Sequence, residues 1–309
     1  MSATSWDVHR LPRAEHRNFL VTGANAGIGY FVAEQLASTG ATVLLGSRNT
    51  AKAEAAMGTI RSRVPGARLR HVPLDLGDRA SIEASITTLG VAALDAIVCN
   101  AGVLLDEPER QVTGEGNELM FATNHLGHFA LVGLLTPLLE AAEAGRVVTT
   151  GSLVAGSAKF DPADPQSTRD YQSKRAYARS KLAQMLFGFE LDRRLRAAGS
   201  TTLSTVTHPG GALDALTPAR PPVHEPTAGQ RLRGLPAALL LHGKQAAARV
   251  AVRATLDPGV RGGQLWAPRW FGLRGNPRQL PVRGTFADHA LADRLWTLSA
   301  ELTGIDVFG

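Results

Sequence analysis

The chain has 309 residues, with 33 Lys and Arg, 27 Asp and Glu, and one cysteine. This length can bury a large core without covalent staples, and a single cysteine excludes both an intramolecular disulfide framework and a four-thiolate zinc site within the chain. The formal net charge of +6 is uneven: residues 1–150 carry 12 basic and 15 acidic side chains, whereas residues 215–285 hold 11 basic residues against Glu225 and Asp257.

Residues 1–17 contain no apolar run, so they read as a short polar lead-in and not as a secretory signal. Beyond them, short apolar runs alternate with helical patterns, as in βαβ units. Strands are predicted at 19–22, 42–45, 68–73, 94–99, 146–150 and 203–207. The helices between them are predicted at 28–38, 50–64, 80–89, 117–142 and 177–198, with Pro137 expected to distort the fourth. The Pro-, Gly- and Arg-rich residues 209–236 read as a loop or mobile lid. A helix at 245–255, a last strand at 263–266 and a helix at 287–303 close the chain. No apolar stretch approaches the roughly 20 residues of a membrane span. The expectation is one α/β domain over 1–309, a doubly wound parallel sheet of about seven strands with helices on both faces. It would carry a substrate-side insertion at about 153–176 and a lid at about 211–245, in a cytoplasmic protein.

The first strand runs straight into Thr22-Gly23-Ala24-Asn25-Ala26-Gly27-Ile28-Gly29 and then a helix. Glycines at this spacing permit a tight turn and a close backbone approach to a pyrophosphate, and the helix N-terminus offers free N–H groups. The second strand ends at Ser47-Arg48-Asn49, where an acidic residue would select NAD. Arg48 instead matches a 2′-phosphate, so the favoured cofactor is NADP(H).

Tyr177 and Lys181 stand at i and i+4 on one helix face. An ammonium beside a phenol favours phenolate and lowers its pKa, and such a pair moves protons to or from a substrate oxygen. Ser152 follows the fifth strand, where a hydroxyl donates to a developing alkoxide. Asn124 lies in the fourth helix, and Asn100-Ala101-Gly102 follows the fourth strand.

TGANAGIG at 22–29, LDL with Asp75, CNAG at 99–102, Asn124, Ser152, YARSK at 177–181 and HPGG at 208–211 occur in one order over residues 19–212. In this the chain resembles the short-chain dehydrogenase/reductase family, and FATNHLGHF is most similar to its retinol-dehydrogenase-like and related bacterial branch. The resemblance implies a Rossmann fold and a carbonyl/alcohol oxidoreductase. Tyr177 would be its acid/base, with Lys181 lowering the Tyr177 pKa and holding the nicotinamide ribose. Ser152 would polarise the substrate oxygen, and Asn124 would anchor a water in the proton relay. Asp75 would hold the adenine amino group, Asn100, Ala101 and Gly102 would line the adenosine side, and Pro209 and Gly210 would border the nicotinamide. Leu76, Thr123, Thr150 and Gly211 count with the cofactor contacts. By analogy the 117–142 and 177–198 helices would pair subunits in a homodimer or homotetramer.

The departures are Asp214 near the expected pyrophosphate, Gly151 in place of a frequent Ser, and a long gap from Ser152 to Tyr177. Leu153, Val154, Phe160, Leu213, Leu216, Leu235, Trp266, Trp270 and Phe271 would wall a site for a lipophilic ketone or aldehyde, with an anionic or carrier-linked substrate as a further reading of the basic segment. Other readings are a C=C reductase of the protochlorophyllide-reductase type, which uses cysteine, a non-catalytic NADP sensor, and a nucleic-acid binder. The last rests on the basic charge, for which no recognisable motif is present. No metal site is expected.

Overall fold

A computed structural model of the chain describes residues 6–306. The first five residues of the lead-in lie outside the described residues. The rest of the lead-in is more than polar: Ala14 is buried, and Trp6 and Leu11 pack against the core.

Strands and helices alternate through β1 (Asn18–Thr22), α1 (Gly27–Ala37), β2 (Thr42–Ser47), α2 (Thr50–Arg63), β3 (Arg68–Pro73), α3 (Arg79–Thr88) and β4 (Ala96–Cys99). Then come α4 (Leu119–Phe121), a π turn (Ala122–Leu126), α5 (Gly127–Glu140), β5 (Arg146–Thr150), α6 (Ser173–Ala197) and β6 (Leu203–Thr207). The chain continues through α7 (Ala228–Gly234), α8 (Lys244–Leu256), β7 (Leu265–Trp270), β8 (Arg274–Leu280) and α9 (His289–Thr303).

The eight strands form one sheet in the order β3-β2-β1-β4-β5-β6-β7-β8. All neighbours are parallel except β7 and β8. β1, β4 and β5 are almost wholly apolar or β-branched, as strands covered on both faces must be. Alternation along β1 divides the core: Phe19 and Val21 join Phe31, Leu36, Ala248 and Val252 on one face. Leu20 joins Phe129, Leu135, Phe187 and Leu191 on the other. The strand order reverses between β1 and β4, which opens a crevice at their carboxyl ends.

The structure corrects several expectations. The sheet gains an eighth strand, Arg274–Leu280, which its Gly and Pro content disguises as loop; it pairs with the free edge of β7. The distortion of the fourth helix is the π turn at Ala122–Leu126, while helix continues past Pro137 to Glu140. By length and composition Leu119–Glu140 is apolar enough to cross a membrane, but 78% of its most apolar window is buried within the fold, as in a core helix.

The expected mobile lid is anchored in its first part. Arg220 Nε donates to the buried Glu34 carboxylate of α1 at 2.8 Å, and Thr59 Oγ1 of α2 donates to Pro221 O at 3.0 Å. Leu213 N donates to His242 O at 2.9 Å and His242 N to Gly211 O at 3.1 Å, and residues 228–239 are helical.

Glu34 also accepts from Arg63, yet Arg220 is the partner that shares its burial. Replacing Arg220 with Met leaves a buried carboxylate short of its main cation. The expected loss is about 2 kcal/mol or more, read as a lowered urea midpoint; a loss below about 0.5 kcal/mol would show that the segment is not held this way.

Candidate active site

A cleft of about 430 Å³ opens at the carboxyl ends of β1, β2 and β4. Its floor is the turn from Thr22 to Ile28. Gly23 and Gly27 take φ of +66° and +60°, a region that disfavours side chains. Gly29 has ordinary φ but no room: a Cβ would stand 2.4 Å from Gly23 O and 2.5 Å from Asn100 Nδ2. The turn is therefore a bare backbone cradle at the head of α1, as an approaching pyrophosphate requires.

Gly23, Asn25, Ala26, Gly27, Ile28, Ser47, Arg48, Asp75, Leu76, Asn100, Ala101, Gly102 and Thr123 all line this cleft, with Thr22, Gly46 and Leu74 beside them and Val103 and Lys244, to which the sequence assigns no role. Gly29 supports it from behind. Asn49 turns away and caps α2, its side chain accepting from Lys52 N. Thr150, Pro209, Gly210 and Gly211 lie off the cleft walls. Thr150 O accepts from Lys181, Pro209 O lies 2.8 Å from His242 Nε2, and Gly211 N donates to Leu273 O.

Arg48 lines the cleft with Nη1 3.7 Å from Asp75 Oδ2, the arginine largely exposed and the aspartate partly so. The other oxygen of Asp75 accepts from Gly77 N at 2.9 Å. The guanidinium is thus held at the cleft by a weak, solvated contact. Lys244, the first residue of α8, brings a second cation into the same cleft. Asp214 holds its ammonium and so does not stand unpaired near the cofactor site, as the sequence had implied.

Tyr177, Ser152, Lys181 and Asn124 gather beside the inner end of the cleft. The Ser152 side chain faces the Tyr177 hydroxyl closely enough to favour its ionised form. One turn along α6, buried Lys181 Nζ donates to Thr150 O at 2.8 Å and to Gln184 Oε1. Asn124 sits within the π turn, a distortion common at functional sites. Its Oδ1 accepts from Val103 N at 2.7 Å, and its Nδ2 donates to Val103 O and Ser180 Oγ. Asn124 Oδ1 and Lys181 Nζ lie 3.1 and 3.6 Å from where a Gly102 Cβ would stand, so glycine there keeps the path between them open.

Two expectations change. Burial raises the Tyr177 pKa above its ordinary value, with Ser152 opposing it, while Lys181 Nζ hydrogen-bonds Thr150 O and Gln184 Oε1. Gly151 is a steric need and not a neutral change: a Cβ would stand 2.4 Å from Met185 Sδ. Cys99 is fully buried at the end of β4, and burial pushes its thiol up, so it stays protonated.

The apolar wall is partly as expected. Leu153 and Val154 are exposed beside Ser152, and Trp270 and Phe271 lie at the surface, but Trp266 is buried with Val250 and Val260 beneath Arg253. Phe160 packs toward Phe121.

Residues 17–163 match the short chain dehydrogenase family. Retinol dehydrogenase 13 of Homo sapiens is 33% identical over 294 residues, covering 94% of this chain and 85% of that protein. Polyprenol dehydrogenase of Mus musculus is 39% identical over 207 residues, 65% of this chain and 61% of that protein. Among solved structures, an uncharacterized protein from Mycobacterium paratuberculosis superposes with a TM-score of 0.78 at 33% identity, covering 99% of this chain and 100% of that one. The Pseudomonas aeruginosa RhlG/NADP active-site complex gives 0.59 at 25% identity, covering 82% and 94%.

Burial lowers the Lys181 pKa to about 7, with the neighbouring Cys99 opposing the shift. In the unfolded chain a lysine titrates near ~10.4. Between those values the unfolded state binds more protons, so this group adds stability as pH rises and removes it as pH falls toward 7. Lys181→Met lacks this dependence. Across pH 7 to 10 the melting temperature of the parent should therefore gain on that of the variant; a constant difference would mean that Lys181 titrates normally.

Proposed function

The chain belongs to the short-chain dehydrogenase/reductase family, and on that premise we propose that it is an NADP(H)-dependent oxidoreductase interconverting a carbonyl and an alcohol on a lipophilic small molecule. The observation that carries this reading is Ser152 facing the Tyr177 hydroxyl, with buried Lys181 one turn on, beside a glycine-floored cleft. The glycine cradle fits a pyrophosphate and Arg48 fits a 2′-phosphate. Held by these residues, a nicotinamide cofactor would supply or take up the hydride.

The chain's own residues handle the oxygen and its proton. In carbonyl reduction Ser152 donates a hydrogen bond to the oxygen as negative charge develops there, and Tyr177 delivers the proton. A phenol whose pKa is raised by burial is fully protonated at neutral pH, which suits this acid role. Asn124 fixes the loop after β4 against α6 and so holds Lys181 and Tyr177 in register with the cleft. The names of the relatives, one acting on retinol and another on polyprenol, support an isoprenoid-like alcohol or aldehyde as the substrate class. The inaccessible Cys99 favours this chemistry over cysteine-dependent C=C reduction.

Tyr177→Phe should lower turnover of a carbonyl panel by about a hundredfold or more while NADPH affinity changes little; a variant that still turns over at the parental rate would remove Tyr177 from the role. Arg48→Glu places a like charge against the 2′-phosphate. It should raise the KM for NADPH at least about tenfold and leave NADH less affected, and an unchanged ratio of kcat/KM for the two cofactors would exclude Arg48 as the selector.

A further inference from the structure

The β7–β8 hairpin ends in the turn Trp270-Phe271-Gly272-Leu273, closed by Leu273 N donating to Trp270 O at 2.8 Å. Phe271 and Gly272 have φ of +52° and +70°. A two-residue hairpin turn with both central residues at positive φ favours Asn-Gly or Gly-Gly. A bulky aromatic at the first of these positions is conformationally disfavoured, and here its ring stands 86% exposed. Local stability does not account for that side chain.

Phe271 is not alone. With Leu239, Leu240, Trp270, Leu273 and Arg274 it lines a groove of about 270 Å³, in which Leu239 is 80% and Trp270 59% exposed. Arg274 Nη1 donates to Ala238 O and Leu239 O, which joins the hairpin to the helical segment 228–239. That segment also exposes Leu232 and Leu235. Cationic side chains border the apolar surface. Arg220, Lys244 and Arg253 of this basic region have carboxylate partners. Arg231, Arg233 and Arg269, all exposed, have none within 4 Å among the described residues. Arg269 lies 5.8 Å from the Trp270 ring.

We propose that this surface docks the protein on an anionic lipid bilayer, with Phe271, Trp270 and Leu239 entering the interface and Arg231, Arg233 and Arg269 meeting lipid phosphates. Exposed aromatic and leucine side chains ringed by arginine are what interfacial burial together with headgroup attraction selects. The patch adjoins the catalytic side of the cleft: Leu153 Cδ2, next to Ser152, and His208 Cε1 lie 3.5 and 3.1 Å from where a Gly272 Cβ would stand. Docking there brings the substrate entrance to the membrane, a placement that rests on the proposed lipophilic substrate, although the docking itself does not.

The test is flotation of the full chain with vesicles of phosphatidylcholine alone and of phosphatidylcholine with about a third phosphatidylglycerol. The expected result is partition onto the anionic vesicles, weakened by raised salt. Phe271→Asn should reduce it about tenfold while the melting temperature holds or rises, because Asn suits the turn. Leu239→Ser provides a second disruption outside the hairpin. Absence of partition onto anionic vesicles overturns the proposal, as does equal partition by both variants. A concentration-dependent dimer that Phe271→Asn abolishes also overturns it, in favour of a second copy as the occupant. No cofactor or turnover enters these measurements, so their failure is distinguishable from a failure of Tyr177→Phe.

Discussion

Where β1 ends, the Thr22 hydroxyl accepts the backbone N–H groups of Asn100 and Ala101, each at 2.9 Å, and Asn100 Nδ2 donates back to Thr22 O. These bonds tie the two strands between which the sheet reverses direction. They also fix how closely the loop after β4 approaches the first turn, and that approach leaves no room for a side chain at residue 29. The same hydroxyl lies 2.9 Å from His128 Nε2, whose other ring nitrogen is 3.0 Å from Asn124 O. One threonine thus links the nucleotide cradle to the helix distortion that presents Asn124.

The second half of the site depends on the same contact. Val103, three residues past Asn100, exchanges two backbone bonds with the Asn124 side chain, which in turn reaches Ser180 on α6. Gln184 of α6 donates to Cys99 O, at the end of β4, and accepts from Lys181. α6 is therefore held to β4 and its loop at two positions, Ser180 through Asn124 and Gln184 directly, and Tyr177 is positioned with them. Burying a lysine in this frame is costly, and the lowered Lys181 pKa is the form that cost takes.

The sequence made the cradle and the Ser-Tyr-Lys set legible because each depends on residue types with few alternatives at short spacing. Glycines at 23, 27 and 29 answer local backbone demands, and Tyr177 and Lys181 share a helix face by periodicity alone. What stayed illegible depends on distant partners. Lys244 enters the cleft only because α8 packs along α1, more than 200 residues away in sequence, and Gln35 Nε2 donates to Gln245 O at the start of that helix. The segment 274–280 becomes a strand because β7 offers an edge, not because RGNPRQL favours one. Helix continues past Pro137; the irregularity lies instead at 122–126, beside Gly127, which packs so closely against Leu76 O that a Cβ would lie 2.1 Å from it. The phenol pKa follows a similar rule: an i, i+4 spacing brings Tyr177 and Lys181 onto one face, but burial, which spacing does not report, raises the phenol.

The two carboxylates near the nucleotide cleft show how the site holds cations in readiness. Asp75 and Asp214 each sit beside one basic side chain of the cleft, Arg48 and Lys244. Neither acid is buried, so neither ion pair contributes much stability. Each instead keeps a long, flexible cation close to the cleft, which reduces the ordering cost when an anion arrives. Arg48 comes from the first βαβ unit and Lys244 from the far end of the chain, so a nucleotide carrying phosphate at both ends of its adenosine would draw the two halves of the fold onto one ligand. The Asp214 that looked like an obstacle in the sequence is then the group that positions the second cation.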